Sequence, residues 1–353
     1  MFSISKKQGL LGLDISSTAV KLLELSQSRG SYRVEAYSVE PLPPSAAQEK
    51  AILDIEAVGE AVKRAVAKAG TRTRHVAVAV PGTMAVTRII SLPASLSEEE
   101  MEDQVRTEAD QYIPYPLEEV DLDFEVIGPT QANPSNVDVI IAATRAENVE
   151  ARVSVAQMAN LQVKVVDIES FTIENAYNAL IAPNLSSAER SLAVAVVDMG
   201  ATMTSISVMH NARLVYTREH NFGGKHLTED IMRRYEMSYE EAGRAKRLGG
   251  LPEDYVPRVL NPFMESAAQQ LNRFLQFYFS SPNSAPLGLI LLGGGTANIP
   301  GLTERIAEEV GIPTRIANPF ANVTRSGRVP GDALSNDGTA MLIASGLALR
   351  SFD

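Results

Sequence analysis

The sequence predicts an α/β protein of two lobes, each built on a copy of one domain. Three observations carry this. Residues 9–25 read as a strand (10–13), a tight turn (Asp14-Ile15-Ser16-Ser17-Thr18) and a second strand (19–25) made apolar by Val20, Leu22, Leu23 and Leu25. Residues 191–209 repeat the pattern, with a strand over 192–197, the turn Asp198-Met199-Gly200-Ala201-Thr202 and a strand over 203–208. Laid over each other without a gap, Asp14 meets Asp198, Thr18 meets Thr202 and Leu22 meets Ile206. The third is an apolar strand over 289–292 that runs into Gly293-Gly294-Gly295-Thr296 and a helix start near 299–302. The repeat is too long for a solenoid unit of roughly 20 to 50 residues, so it marks a duplicated domain. A length of 353 residues is likewise more than one simple core holds.

The remaining elements follow from periodicity. Val58, Ala61, Val62, Ala65 and Val66 predict a helix over 58–68. Ser97 and Glu100 have capping-box spacing and open a helix over 97–113, stopped by Pro114 and Pro116. Residues 137–143 read as a strand and 146–158 as a helix, and the polar segment 129–136 reads as a loop. Met264, Ala267, Ala268, Leu271, Phe274, Leu275 and Tyr278 fall on one face of a helix over 262–279, which is read as core packing. An Ala-rich apolar run over 338–349 predicts a last helix docked onto a lobe, and 84–162 is read as a subdomain inserted in the first lobe.

Composition excludes several function classes. The formal net charge is −11, which gives no general electrostatic reason to bind nucleic acid or anionic lipid. Cysteine is absent, so disulfides, zinc fingers and thiol catalysis are excluded, and a reducing compartment fits. No run reaches the roughly 18 to 20 apolar residues of a membrane span, and residues 1–7 lack the apolar core of a signal peptide. The expectation is a cytoplasmic protein that reaches a membrane through partners. His75, His210, His220 and His226 show no metal spacing, and no G-x-S-x-G occurs. Gly223-Gly224-Lys225-His226 is not a Walker A loop, and Gly293-Gly294-Gly295 is not G-x-G-x-x-G because Asn298 holds the sixth position.

The chemistry is expected at the duplicated turns. One such turn alone is an ordinary hairpin. Two matching copies argue for more, because backbone N–H groups of facing turns clamp phosphate oxygens from both sides. Ser16, Ser17 and Thr18 add hydroxyls on one side, and Gly200, Ala201 and Thr202 form the other. Asp14 and Asp198 at the strand ends are placed to hold magnesium through water, as hard oxygen ligands do. Lys21 is either a point charge for a phosphate or an exposed strand lysine. The three glycines either let a ligand approach the backbone or make a tight turn. Glu169, where a strand passes into a helix, is either an N-cap acid or a carboxylate orienting the water that attacks a γ-phosphate.

The order of these parts resembles the actin, heat-shock chaperone and sugar-kinase superfamily over essentially the whole chain. Residues 12–18 resemble its first phosphate motif, 197–202 its second and 291–296 its adenosine motif. Residues 167–176 and 337–348 resemble its two interdomain helices. Within it, the chain resembles the PilM family of type IV pilus assembly proteins. That likeness rests on 9–25 (with Ser16 where a glycine is usual), on Glu108-Ala109-Asp110-Gln111-Tyr112-Ile113-Pro114-Tyr115, and on residues 222–228 and 273–280.

The resemblance implies an actin-like, ribonuclease H-like duplicated fold with an FtsA-like insertion. It sets a first lobe over 1–83 and 163–190, the insertion over 84–162, and a second lobe over 191–218 and 262–335. A small subdomain over 219–261 and a terminal helix over 336–353, returning to the first lobe, complete it. It also implies ATP and magnesium between the lobes, with Gly224 and Lys246 added to the nucleotide site. Gly243 stands where the family places a glutamate for the ribose hydroxyls. The implied partners are the cytoplasmic N-terminal tail of PilN, other inner-membrane proteins of pilus assembly and twitching motility, and a second copy of the chain. A nucleotide-switched scaffold with at most slow ATPase activity is expected, located peripherally at the inner membrane through these partners; an actively hydrolysing, filament-forming ATPase is the alternative. A small-molecule kinase lacks an Asp base with polar sugar contacts.

Overall fold

A computed structural model describes residues 9–130, 133–282 and 284–353. The expectation at residues 1–7, and Gln131 and Ala132 of the expected loop, lie outside the described residues. The first sheet has six strands, in the order β10-β6-β1-β2-β3-β16. They are β1 (Leu11–Ile15), β2 (Ala19–Ser28), β3 (Ser31–Pro41), β6 (His75–Val80), β10 (Gln162–Ile168) and β16 (Thr324–Arg325). The second has five, in the order β13-β12-β11-β14-β15: β11 (Ala193–Met199), β12 (Thr204–His210), β13 (Arg213–His220), β14 (Leu287–Gly293) and β15 (Thr314–Ile316).

The two sheets share one plan. Three antiparallel strands are followed by two parallel ones on the other side of the first. The sequence repeat is therefore a repeat of topology. The observed turns are shorter than expected, because Asp14 and Ile15 pair with Lys21 and Val20, and Asp198 and Met199 pair with Ser205 and Thr204. Ladder hydrogen bonds claim these residues, so both aspartates stand on strands and point from rigid positions.

Helices cover both sheets. α1 (Ile55–Ala69) buries Val58, Ala61, Val62 and Ala65 against β1 and β2, and ends at Gly70 in the left-handed region. α8 (Asn261–Phe279) fills the second lobe with the seven predicted apolar residues, together with Phe263. α6 (Gly224–Tyr235) and α7 (Tyr239–Leu248) share that core through Leu227, Ile231 and Ala242, so the expected small subdomain has no core of its own. α9 (Leu302–Val310) starts at the end of the predicted start region, and α5 (Ser187–Arg190) is one capped turn.

The insertion is a three-stranded sheet, β7 (Ala85–Pro93), β9 (Asn136–Arg145) and β8 (Val120–Pro129), in the order β7-β9-β8. It packs on α2 (Glu98–Ala109), whose capping box at Ser97 and Glu100 forms as predicted. α3 (Ala146–Met158) matches its predicted span but belongs elsewhere: Val155 and Ala156 pack on Val58 and Ala61 in the first-lobe core. The unit with its own core therefore ends with β9, short of the expected residue 162.

Two helices lie between the sheets: α4 (Glu169–Ala176), and α11 (Leu342–Leu349), which follows α10 (Gly331–Asp337) and a 3-10 turn at Gly338–Met341. Ile173 and Leu347 join Ala77 of the first sheet to Val194, Val196 and Leu291 of the second. The two helices meet at Gly346, where a Cβ would stand 1.8 Å from the Thr172 carbonyl oxygen. Among the described residues, no helix is long and apolar enough to cross a membrane.

Candidate functional site

The strand ends of both lobes converge, with Ser17 meeting Thr202 and Lys50 close to Glu169, Asp198 and Asp14. Asp14 is buried at the end of β1, and Lys21, its partner across the β1–β2 ladder, donates to Asp14 Oδ2 at 2.7 Å. Lys21 is thus not an exposed strand lysine; it neutralises Asp14. Ser16 closes its own turn, because its hydroxyl donates to the Ala19 carbonyl at 2.8 Å and accepts the Ala19 N–H at 3.3 Å. Its backbone is not in the left-handed region, so this turn forms without a glycine. Ser17 is buried and meets the opposite lobe, its Oγ lying 2.8 Å from Thr202 Oγ1; Thr18 is exposed.

In the second lobe the Gly200 carbonyl is a hub. It accepts the Gly224 N–H at 3.0 Å and the Thr296 hydroxyl at 2.8 Å, while Ala201 accepts the Lys225 N–H at 2.7 Å. The second turn, the start of α6 and the glycine loop are thereby tied into one surface. Asp198 stands beside them, partly exposed. The surrounding protein pushes its carboxyl up, opposed by Lys50 and Lys21. The glycines divide their roles. Gly293 packs on Leu342, and Gly294 has φ +85 with the Met199 carbonyl, and behind it the Asp198 carboxylate, where a Cβ would be. Only Gly295 is open, with no atom within 4 Å of an added Cβ.

Lys246 reaches this surface from α7. Its Nζ donates to the Gly224 carbonyl at 2.9 Å and to Thr228 Oγ1 at 2.8 Å. Burial, with Arg247 nearby, pushes its ammonium down to about 8. Gly243, one turn earlier, faces open space.

Glu169 is buried as the first residue of α4, where Ile168 holds the cap position, so it is not an N-cap acid. Its Oε2 accepts from Lys50 Nζ, a residue that sequence reasoning missed. Burial opposes the lysine charge, yet Glu169, Asp198 and Asp14 outweigh it and hold Lys50 above the ordinary lysine range. Burial pushes Glu169 up while Lys50 pulls it down. No local pattern marks Lys50. Arg152 was also missed, although it left a trace: an arginine between Val149 and Val155 on the apolar face of α3. Glu219 of β13 crosses between lobes and accepts the Gly82 and Thr83 N–H groups at 3.0 and 3.1 Å.

The donor set has definite chemistry. Two carboxylates end equivalent strands, two hydroxyls face each other, and an open glycine and a buried lysine flank them. Among the described residues, no three His, Cys, Asp or Glu side chains converge as direct metal ligands.

Comparison with known proteins identifies the family and the fold. A family model described as type IV pilus assembly protein PilM matches residues 12–352. The cell division protein FtsA of Streptococcus pneumoniae is 24% identical over 359 residues, covering 87% of this chain and 75% of that protein. The solved PilM-PilN type IV pilus biogenesis complex superposes with a TM-score of 0.83 at 28% identity, covering 99% of this chain and 100% of that one. The ethanolamine utilization protein EutJ of Carboxydothermus hydrogenoformans has a TM-score of 0.59 at 16% identity, covering 96% and 89%, a likeness of fold alone. With the duplicated strand order, these matches show an actin-like two-lobe fold.

Proposed function

The chain belongs to the PilM family of type IV pilus assembly proteins, and we propose that it is an ATP-binding scaffold whose nucleotide state governs its hold on a PilN-like tail. One observation carries the nucleotide reading. Asp14 and Asp198 end equivalent strands of two sheets on one cleft, and the turns beyond them meet at Ser17 and Thr202. The residues present fit magnesium and a phosphate chain: hard carboxylate oxygens, hydroxyl donors and the open Gly295 backbone. Magnesium–ATP would supply a compact cluster of charge there. Ser17 and Thr202 would orient phosphate oxygens, Asp14 and Asp198 would hold cation-bound water, and Gly224 and Lys246 would line the nucleoside side.

Slow turnover is part of the reading. Glu169 has the position of a water-orienting carboxylate, but its Oε2 is taken by Lys50. A carboxylate held in an ion pair is a poor acceptor for a water proton, so Glu169 can act only after the Lys50 ammonium has moved away from it. The PilN assignment is supported by the likeness to a solved PilM-PilN complex over the whole chain. An extended tail docking on a folded surface is a common recognition mode and needs no turnover. A partner of this kind also accounts for action at the inner membrane.

Calorimetry tests the proposal, with magnesium–ATP and a synthetic PilN N-terminal peptide added to wild type and Asp14→Ala. Wild type should bind both, Asp14→Ala should lose ATP, and nucleotide should change peptide affinity. Failure of wild type to bind either ligand would sink it. Rapid steady-state hydrolysis would favour the motor-like alternative.

A further inference from the structure

Two two-residue strands, β4 (Ala47–Gln48) and β5 (Ala51–Ile52), form a hairpin whose tip is Glu49 and Lys50. Both tip residues have left-handed backbones, with φ +48 and +67. Such tips favour Asn-Gly because in this region a Cβ crowds the following carbonyl oxygen, which glycine avoids and asparagine offsets by local hydrogen bonding. Strain of this kind persists only where surrounding contacts over-determine it, and it gathers at functional sites.

Four contacts from four parts of the fold hold this tip. Ser17 Oγ of the phosphate turn accepts the Lys50 N–H at 3.2 Å. Glu169 of α4 takes the Lys50 ammonium. Arg152 of α3 donates to the Lys50 carbonyl at 3.2 Å. Asn221 of the second lobe donates to Glu49 Oε1 at 3.2 Å.

Arg152 continues the line away from the cleft. It is only 2% exposed and also donates to the Ala79 carbonyl at 2.6 Å and the Asn148 carbonyl at 2.9 Å. The Asn148 amide donates to Thr144 Oγ1 at 3.2 Å, and the Thr144 hydroxyl donates to the Met84 carbonyl at 2.7 Å. Thr144 lies at the end of β9 and pairs with Ala85 at the start of β7. The line therefore ends at the root of the inserted sheet.

We propose that the Glu49–Lys50 tip senses what fills the cleft and that Arg152, as a positioning residue, carries its setting to the root of the insertion. This rests on the nucleotide reading above. Phosphate draws the Lys50 ammonium away from Glu169, and a divalent cation repels it, so either charge breaks the same ion pair. With that tether gone the strained tip relaxes and the Lys50 carbonyl moves. Arg152 is packed too tightly to absorb the shift and passes it to Asn148, Thr144 and Met84.

Hydrogen exchange on the full chain, with and without magnesium–ATP, tests this. In wild type, nucleotide should change exchange at residues 84–90 and 140–146 by about threefold or more. Arg152→Met and Thr144→Val should bind magnesium–ATP about as well as wild type by calorimetry yet lose that change, and Thr144→Ser should restore it. Thr144→Val keeps the test decisive if Arg152→Met does not fold. Nucleotide binding with an unchanged root in wild type, or a wild-type response in Thr144→Val, overturns this proposal alone. Absence of nucleotide binding in wild type overturns the nucleotide reading and this proposal together.

Discussion

Ser17 Oγ and Thr202 Oγ1 lie 2.8 Å apart although 185 residues separate them in the chain. They occupy matching turns of the two duplicated domains, so this hydrogen bond joins the copies at the mouth of the cleft. Ser17 also accepts the Lys50 N–H, which makes its hydroxyl the meeting point of the first turn, the second turn and the strained hairpin.

Removing that hydroxyl should loosen the cleft more than the fold. Ser17→Ala is expected to cost about 1 kcal/mol of stability, the net worth of an ordinary hydrogen bond. Magnesium–ATP affinity should fall by roughly tenfold, because two of the clamp's donors lose their register. Thr202→Ala should do the same, and the double variant should be little worse than either. Fully additive losses in calorimetry would mean that the two turns act separately.

The Lys50–Glu169 pair should behave as a buried ion pair. Lys50→Met alone leaves a buried carboxylate without its counter-charge, at a cost of roughly 3–5 kcal/mol. Lys50→Met with Glu169→Leu should recover most of that loss, because no unpaired charge remains. Urea unfolding of the single and double variants measures both. A mild single variant with an equally mild double would show that water reaches the pair.

Lys246 gives stability a pH dependence. Burial pushes its folded-state value down to about 8 from the ordinary lysine value of 10.5. The unfolded chain then holds more protons between those values, so stability contributed through Lys246 rises with pH across that window. Below about 8 the cost of burying the ammonium is fully present, on the order of 3 kcal/mol at most. Lys246→Met should remove this slope in unfolding measured from pH 7.5 to 10. Hydrogen bonds to Gly224 and Thr228 are lost as well, so the slope, not the absolute stability, is the diagnostic.

Gly243 offers a gain-of-function test. An added Cβ meets nothing within 4 Å, and the residue lies inside α7. Gly243→Ala should therefore raise stability by about 1 kcal/mol. Gly243→Glu should raise affinity for ATP more than for an analogue lacking ribose hydroxyls. Equal gains for both ligands would show that the new carboxylate does not reach the ribose.

What was legible in the sequence was local or repeated. The two strand–turn–strand units, the face of α8, the capping box at Ser97 and the glycine loop each declare themselves within a short window, because periodicity and turn chemistry act between near neighbours. Asp14, Asp198 and Glu169 stand out in the sequence because they end such windows. The tertiary structure alone decided their partners. Lys21 turned out to neutralise Asp14, Ser16 to close its own turn, and Gly293 to serve helix packing. Lys50 and Glu219 carry no local signature, and the arginine on the apolar face of α3 shows nothing of what it meets, since the carboxylate, amide and carbonyl groups involved come from distant segments. The limit of the insertion was hidden for the same reason: α3 has the period of any helix, and only the apolar surface available to it placed it on the first lobe. Sequence periodicity sets which face of an element is apolar, whereas the burial of charge is settled by whatever the folded chain brings opposite it.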